Sequence, residues 1–253
     1  MDKTKTYFQM NKKTQNKGEI YIYGDIVSSK WEETDVTAVD FKNELNQLGD
    51  VSEIDVHINS AGGNVFEGHA IYNMLKMHKA KVNIYVDALA ASIASVIAMS
   101  GDTIFMHKNS FMMIHNSWIM TLGNSKDLRQ TADLLDKTDQ SSNNAYLDKA
   151  TNLSEEELKQ MLEAETWLTA DEAFEKGLAD EILGASEIAA SISKDSYQMF
   201  KHVPENIEKD VDKITNVSDV QDNKTKETMS QKDKEARQQI IDECNTLQTI
   251  MNF

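Results

Sequence analysis

The feature that most constrains the fold of this chain is a regular alternation of short apolar strands with segments of helical periodicity. The pattern predicts strands at about residues 19–23, 54–58, 82–86, 103–106 and 111–114. Helices are predicted at about 34–48, 65–77, 91–100 and 124–150, and a further one is capped by Ser154. Thr34 is the expected cap of the first helix, with Val36 and Val39 on or near its apolar face. Such strand–helix repetition predicts an α/β fold in which helices cover the strands.

Glycine and proline mark the expected domain boundary. All ten glycines lie at or before Gly184, whereas the single proline, Pro204, lies after it. Polar and charged residues dominate beyond that point. We therefore expect a flexible lead-in over 1–17, a folded domain over 18–184 and a weakly structured acidic tail over 185–253.

The end of the tail has helical periodicity. Ile240, Cys244, Leu247 and Met251 recur at steps of four, three and four residues, which predicts a short amphipathic helix near 231–251. Two interpretations remain open. The helix either packs weakly on its own domain or stays mobile, or it serves as a docking segment for a partner protein.

Charge and cysteine usage exclude several classes of protein. The net charge is −16, and Arg129 and Arg237 are the only arginines, which argues against a nucleic-acid partner. A single cysteine precludes an intramolecular disulfide and suits a reducing cytoplasm. The most apolar window, 88–99, is only twelve residues long, whereas a bilayer crossing takes about 20. No membrane association is therefore expected, and the histidines lack metal-ligand spacing, so neither a metal nor a cofactor is expected.

The chemistry-bearing residues follow predicted strands. Ser92 lies after strand 82–86, at the first turn of a helix rich in small residues. Its hydroxyl is expected close to unpaired backbone N–H groups, which makes it a candidate nucleophile. Gly62 and Gly63 directly follow another strand, where glycine lets the backbone approach a ligand closely and aim N–H groups at it.

A candidate base ends a third strand. His115 follows the apolar residues 111–114, so packing can fix its ring while one edge faces a cleft. The carboxylate that orients it can come from Glu163, Glu165 or Asp171. Each residue also has a purely structural explanation: serines in an alanine-rich helix pack well, and histidines at strand ends are often satisfied hydrogen-bonding groups.

Taken together, four segments carry a family resemblance. In chain order they are 58–65 (INSAGGNV), 90–94 (AASIA), 113–116 (MIHN) and 167–180 (WLTADEAFEKGLAD). They resemble the ClpP family, the proteolytic subunits of the Clp protease, over about residues 18–182. Ala61 stands where the family usually has proline.

The resemblance implies a fold, an assembly and an active site. The implied fold is a crotonase-like spiral of ββα units, with the 124–150 helix as a protruding handle through which subunits pair into a homo-oligomeric ring. Ser92 is implied as the nucleophile and His115 as the base. The N–H groups of Gly63 and Ile93 are implied as the oxyanion hole. Glu165 occupies the position of the family's catalytic aspartate, so Glu163 and Asp171 remain alternatives.

Several further segments resemble the phage-encoded branch of the family, the head maturation (prohead) proteases. They are 49–50, 88–101, 115–118 and 164–170. Such an enzyme is implied to cleave scaffold or capsid protein in the host cytoplasm without an ATPase, and the tail helix is then a candidate capsid-docking segment. The alternatives are an ATP-dependent Clp subunit fed by an unfoldase, a crotonase-type acyl-CoA enzyme and an inactive ring subunit. A membrane-anchored signal-peptide peptidase relative is a further alternative, undercut by the lack of a transmembrane helix.

Overall fold

The computed structural model describes residues 10–14, 16–186, 188 and 200–204, with side chains described from residue 16 onward. Eight strands and six helices fall within these residues. The strands are β1 (Met10–Thr14), β2 (Lys17–Ile22), β3 (Glu53–Ser60), β4 (Lys81–Ala91), β5 (Thr103–His107), β6 (Phe111–Ile114), β7 (Thr166–Thr169) and β8 (Glu181–Leu183). The helices are α1 (Ala38–Leu48), α2 (Val65–Lys76), α3 (Ile93–Ala98), α4 (Ser125–Lys149), α5 (Glu155–Glu163) and α6 (Ala170–Glu175).

The strands form one mixed sheet, and the predicted α/β fold is confirmed. The main path runs β1-β2-β3-β4-β5-β8, and β6 joins β4 to β7 off this path. On the main path, the pairs from β2 to β8 are all parallel, and the β4–β6 pair is parallel as well. The β1–β2 and β6–β7 pairs are antiparallel. Parallel strands are buried on both faces, and a continuous apolar core accordingly lies between the sheet and the helices.

Strand β4 has two partners on one side, and this arrangement positions the site. Its first half pairs with β5 over Asn83–Val86, and its second half pairs with β6 over Leu89–Ala91. The prediction of a strand over 82–86 and a helix over 91–100 was wrong at their junction. The run 88–91 is fully buried, and small apolar residues suit a buried strand as well as a helix, so periodicity alone could not separate the two.

The start of α1 also differs from the prediction. The N-cap is Thr37, whose side chain accepts the N–H of Asp40, rather than Thr34. Val36 is extended rather than helical, because its carbonyl accepts the N–H of Val27. Val39 is exposed and does not lie on the buried face.

The two terminal regions differ in part from the expected lead-in and tail. Within the expected lead-in over 1–17, β1 forms a strand in which Met10 lies opposite Ile20, because the open edge of β2 offers unpaired backbone groups. Residues 200–204 of the expected tail return to the domain, where Phe200 and Val203 pack against buried residues. The amphipathic helix predicted near 231–251 lies outside the described residues.

Helix α4 is the protruding handle that was expected. Most of its side chains before residue 145 are at least partly exposed, and Leu128 and Leu134 are among the exposed apolar ones. Its C-terminal end is anchored by Tyr146, which is fully buried and lies 2.6 Å from the hydroxyl of Ser95 in α3. That hydroxyl donates to the Ser92 carbonyl at 2.6 Å, so the Tyr146 hydroxyl is the donor to Ser95. The handle is therefore tied to the backbone of Ser92.

We expect Tyr146→Phe to lower the free energy of unfolding by about 1 kcal/mol, the net value of one buried hydrogen bond. Urea titration followed by circular dichroism measures the change. Tyr72→Phe is the matched control, because the Tyr72 hydroxyl makes no hydrogen bond within the described part of the chain. Equal stability of the two variants would contradict the role given to the Tyr146–Ser95 bond.

Candidate active site

Ser92 occupies the junction between β4 and α3. It is the N-cap residue of α3, yet its side chain makes no capping hydrogen bond. The backbone is held on both sides: its N–H donates to the Met113 carbonyl at 2.9 Å, and its carbonyl accepts the N–H of Ser95 at 3.0 Å. The hydroxyl is therefore free of the role that a serine usually has at a helix start.

His115 lies beside Ser92 because of the register between their strands. In the parallel β4–β6 pair, Ala91 lies opposite Met113, and the next residues carry the chain to Ser92 and His115. The Nε2 atom of His115 lies 2.7 Å from the Ser92 Oγ atom. When the hydroxyl donates this bond, Nε2 is the acceptor and the ring proton sits on Nδ1.

A buried carboxylate faces the other ring nitrogen. The Oε2 atom of Glu165 lies 4.0 Å from Nδ1 of His115, and the two side chains are only 7% and 9% exposed. This distance allows an ion pair but is longer than a hydrogen bond. The two alternative carboxylates, Glu163 and Asp171, are exposed. Of the three candidates, Glu165 is the one that the structure places against the imidazole.

The backbone conformation is unusual at two of these positions. Among the described residues, Ser92 (φ 52°) and Glu165 (φ 50°) are the non-glycine residues with positive φ. Such a conformation costs about 1–3 kcal/mol and persists only where the surroundings hold it. Backbone strain is thus concentrated on the residues that flank His115.

The diglycine turn lies directly against Ser92. A Cβ atom on Gly62 would come within 2.7 Å of the Ala91 carbonyl oxygen and of the Ser92 Cβ atom. A Cβ atom on Gly63, whose φ is 136°, would clash with the Ile26 carbonyl oxygen. Ile93 is the first residue of α3, so its N–H has no acceptor within the helix. Both expected oxyanion donors therefore belong to turns that meet at Ser92.

The surroundings of His115 set its protonation. Burial lowers the pKa of the imidazole from its ordinary value, the carboxylates of Glu165 and Asp139 raise that pKa, and the ammonium of Lys201 lowers it. Asp139 belongs to α4 and accepts the N–H of Ser117 at 2.6 Å. Burial is the largest of these effects, so the neutral base is favoured near neutral pH.

Sequence reasoning missed two groups near this site. Asp139 gave no signal, because it is one of many acidic residues on a polar helix. Residues 200–204 gave a weak one: Phe200 and Val203 are among the few apolar residues of a largely polar stretch. Both groups reach His115 through long-range packing that no local pattern reports.

Among the residues that the structure describes, no three His, Cys, Asp or Glu side chains gather closely enough to hold a metal ion. The helices of that same part of the chain lack the combined length and apolar character that crossing a bilayer requires.

Comparisons with known proteins agree on one family. The family model described as Clp protease matches residues 5–186. The ATP-dependent Clp protease proteolytic subunit 1 of Chlamydia abortus is 37% identical over 130 residues, which cover 50% of this chain and 67% of the relative. The ATP-dependent Clp protease proteolytic subunit of Deinococcus radiodurans is 33% identical over 141 residues, which cover 55% of this chain and 69% of the relative. The chain belongs to the Clp protease (ClpP) family of serine peptidases.

Proposed function

We propose that this chain is a serine endopeptidase that cleaves protein substrates through an acyl-enzyme on Ser92. The single observation that carries the proposal is the 2.7 Å contact between the Ser92 hydroxyl and His115 Nε2. A serine hydroxyl is a weak nucleophile until a neighbouring base removes its proton, and this geometry supplies that base.

The steps follow from the positions of the groups. Ser92 Oγ attacks the carbonyl carbon of the peptide bond while His115 Nε2 takes the hydroxyl proton. The carbonyl oxygen becomes an oxyanion, which the N–H groups of Gly63 and Ile93 stabilise. His115 then gives its proton to the leaving amine, and a water molecule activated by the same imidazole hydrolyses the ester. Glu165 stabilises the imidazolium and favours the tautomer with the proton on Nδ1.

Two alternatives explain less of the site. A crotonase-type acyl-CoA enzyme uses paired oxyanion donors but has no need of a serine bonded to histidine. An inactive ring subunit has no reason to keep strained backbone at Ser92 and Glu165. The hydrogen-bonded pair and the strain together favour an active peptidase.

The relatives bear on how substrates reach the site. Both are subunits of ATP-dependent Clp proteases, which favours a subunit that works with an unfoldase. The head-maturation role expected from the sequence finds no support in these relatives, and it remains a prediction. In either role we propose a homo-oligomeric ring. Its support is the handle, whose exposed Leu128 and Leu134, together with Ile119 and Leu122 just before it, are available for contact between subunits.

Ser92→Ala is expected to abolish labelling by a fluorophosphonate probe and to reduce peptide hydrolysis by about 10⁶-fold. His115→Ala should reduce peptide hydrolysis by about 10⁴-fold or more, and Glu165→Gln should reduce it less, by about 10²-fold. Peptide turnover and in-gel fluorescence measure these losses, and sedimentation checks that assembly is intact. The exposed Glu163→Gln and Asp171→Asn are matched controls. Labelling that survives Ser92→Ala would refute the proposal.

Activity is expected to persist below pH 6.5 on the acid side, because burial lowers the pKa of His115 from that ordinary value. Glu165→Gln removes a carboxylate that raises this pKa, so the acid limb should move to still lower pH. The pH dependence of kcat/KM for a short peptide measures both positions, with Glu163→Gln as the control. A limb that moves to higher pH in Glu165→Gln would contradict the assignment.

Gly62→Ala is expected to lower kcat by about 10²-fold, because its methyl group would displace the Ser92 turn from the oxyanion donors. Gly49→Ala is the control: Gly49 also has a positive φ, but a Cβ atom there would meet nothing within 4 Å. Peptide turnover at saturating substrate compares the two. Equal kcat values would show that the close approach of Gly62 to Ser92 is unimportant.

A further inference from the structure

A segment from beyond the sheet reaches the candidate triad. The backbone N–H of Lys201 donates to the Oε1 atom of Glu165 at 2.6 Å, and the N–H of His202 donates to the same oxygen at 2.9 Å. These donors lie 36 and 37 residues after Glu165 in the chain. Hydrogen bonds to a carboxylate are stronger than those between neutral groups. One oxygen of Glu165 is thus fixed by the segment, and the other faces His115.

Side chains of the same segment cover the imidazole. The ring of Phe200 meets His115 edge-on, with centroids 6.0 Å apart, and meets Trp167 in the same way at 5.6 Å. Phe200 and Val203 pack on a small cluster of buried residues separate from the main core: Ala61, Leu89, Ala91 and Met113. Three of the four lie within two residues of Gly62, Ser92 or His115. The segment therefore packs behind all the elements that carry the chemistry.

We propose that residues 200–204, which we name the supporting segment, complete the active site by fixing the carboxylate of Glu165 and shielding the imidazole of His115. The backbone N–H groups of Lys201 and His202 are positioning groups, and Phe200 is a wall of the site. This inference deepens the proposed peptidase function and rests on it. It extends the catalytic unit to a segment that the sequence had placed in a weakly structured tail.

The need for such a support follows from the chemistry of Glu165. Glutamate has one more rotatable bond than aspartate, so an unanchored carboxylate spends less time in the orientation that faces His115. Two donors on Oε1 restrict that freedom and leave Oε2 directed at the ring. The N–H groups of Lys201 and His202 donate to Glu165, and within the described residues the segment makes no hydrogen bond to Ser92 or Gly63, the latter being exposed. This placement suits a support better than a plug over the nucleophile.

The electrostatics around His115 agree with this geometry. Burial lowers the pKa of the imidazole, as does Lys201 on the segment, whereas Glu165 and Asp139 raise it. Loss of the Phe200 ring admits water to the imidazole, and rehydration raises its pKa. The acid limb of kcat/KM then moves to higher pH, opposite to the shift expected for Glu165→Gln.

Proline variants of the full-length chain test the two donors. Lys201→Pro and His202→Pro each remove one N–H, whereas Lys201→Ala and His202→Ala keep it and are the matched controls. We expect each proline variant to lower kcat between about 10- and 100-fold, and each alanine variant, which keeps its N–H, to lose much less of kcat than the proline variant at the same position. The proline effect should vanish in a Glu165→Gln background, because the donors act through that carboxylate. If the proline variants instead lower kcat by the same factor in the Glu165→Gln background as in wild type, the proline disrupts the site generally and the inference is overturned.

The Phe200 pair gives an independent readout. Phe200→Ala should move the acid limb to higher pH, whereas Phe200→Leu, which keeps an apolar side chain, should move it less. An acid limb at the same pH in wild type and Phe200→Ala would overturn the inference. Higher activity in Phe200→Ala would also overturn it, because the segment would then be an inhibitor. Fluorophosphonate labelling of wild type separates the two proposals. Unlabelled Ser92 refutes the peptidase, whereas labelled wild type with insensitive segment variants refutes the support alone.

Discussion

The division of β4 between two neighbours is the constraint on which the site depends. Its first half pairs with β5 and its second half with β6, so this one strand joins the main path of the sheet to the β6–β7 pair. Because β4 and β6 are parallel, their C-terminal ends meet at one edge, and Ser92 and His115 leave those ends together. Antiparallel pairing of β7 with β6 places Thr166 opposite Ile114, which brings the preceding residue, Glu165, close to His115. The 2.7 Å contact between Ser92 Oγ and His115 Nε2 therefore follows from the register of the two strands.

Strain and support are matched at this edge. The positive φ of Ser92 costs about 1–3 kcal/mol, whereas each hydrogen bond returns about 1 kcal/mol net. Three such bonds hold the Ser92 backbone: one to Met113 and two to its carbonyl from the N–H and hydroxyl of Ser95. Tyr146 in turn bonds the Ser95 hydroxyl. The sum is of the same size as the strain, so the conformation is stable only while these contacts persist, and the handle helix contributes to it.

The sequence predicted those parts of the site that are encoded locally. Ser92, His115 and the diglycine each sit in a short segment that follows a strand, and the α/β alternation is a local signal too. The extension of β4 to Ala91 was missed, because small buried residues suit a strand or a helix and only pairing with β6 decides. Thr37 rather than Thr34 caps α1 because Val36 is held extended by Val27. Asp139 and the supporting segment could not be predicted from the sequence, since each meets His115 only through tertiary packing.

The length of the Glu165 side chain and the position of the supporting segment explain one another. An aspartate at this position is one methylene shorter and has fewer orientations to restrict. The longer side chain instead presents one oxygen to the backbone of Lys201 and His202 and the other to His115, across 4.0 Å. Its buried carboxylate also gains partners there, and a buried charge without partners is costly. A glutamate at this position is long enough for its carboxylate to bridge His115 and the backbone of a segment that packs behind the imidazole.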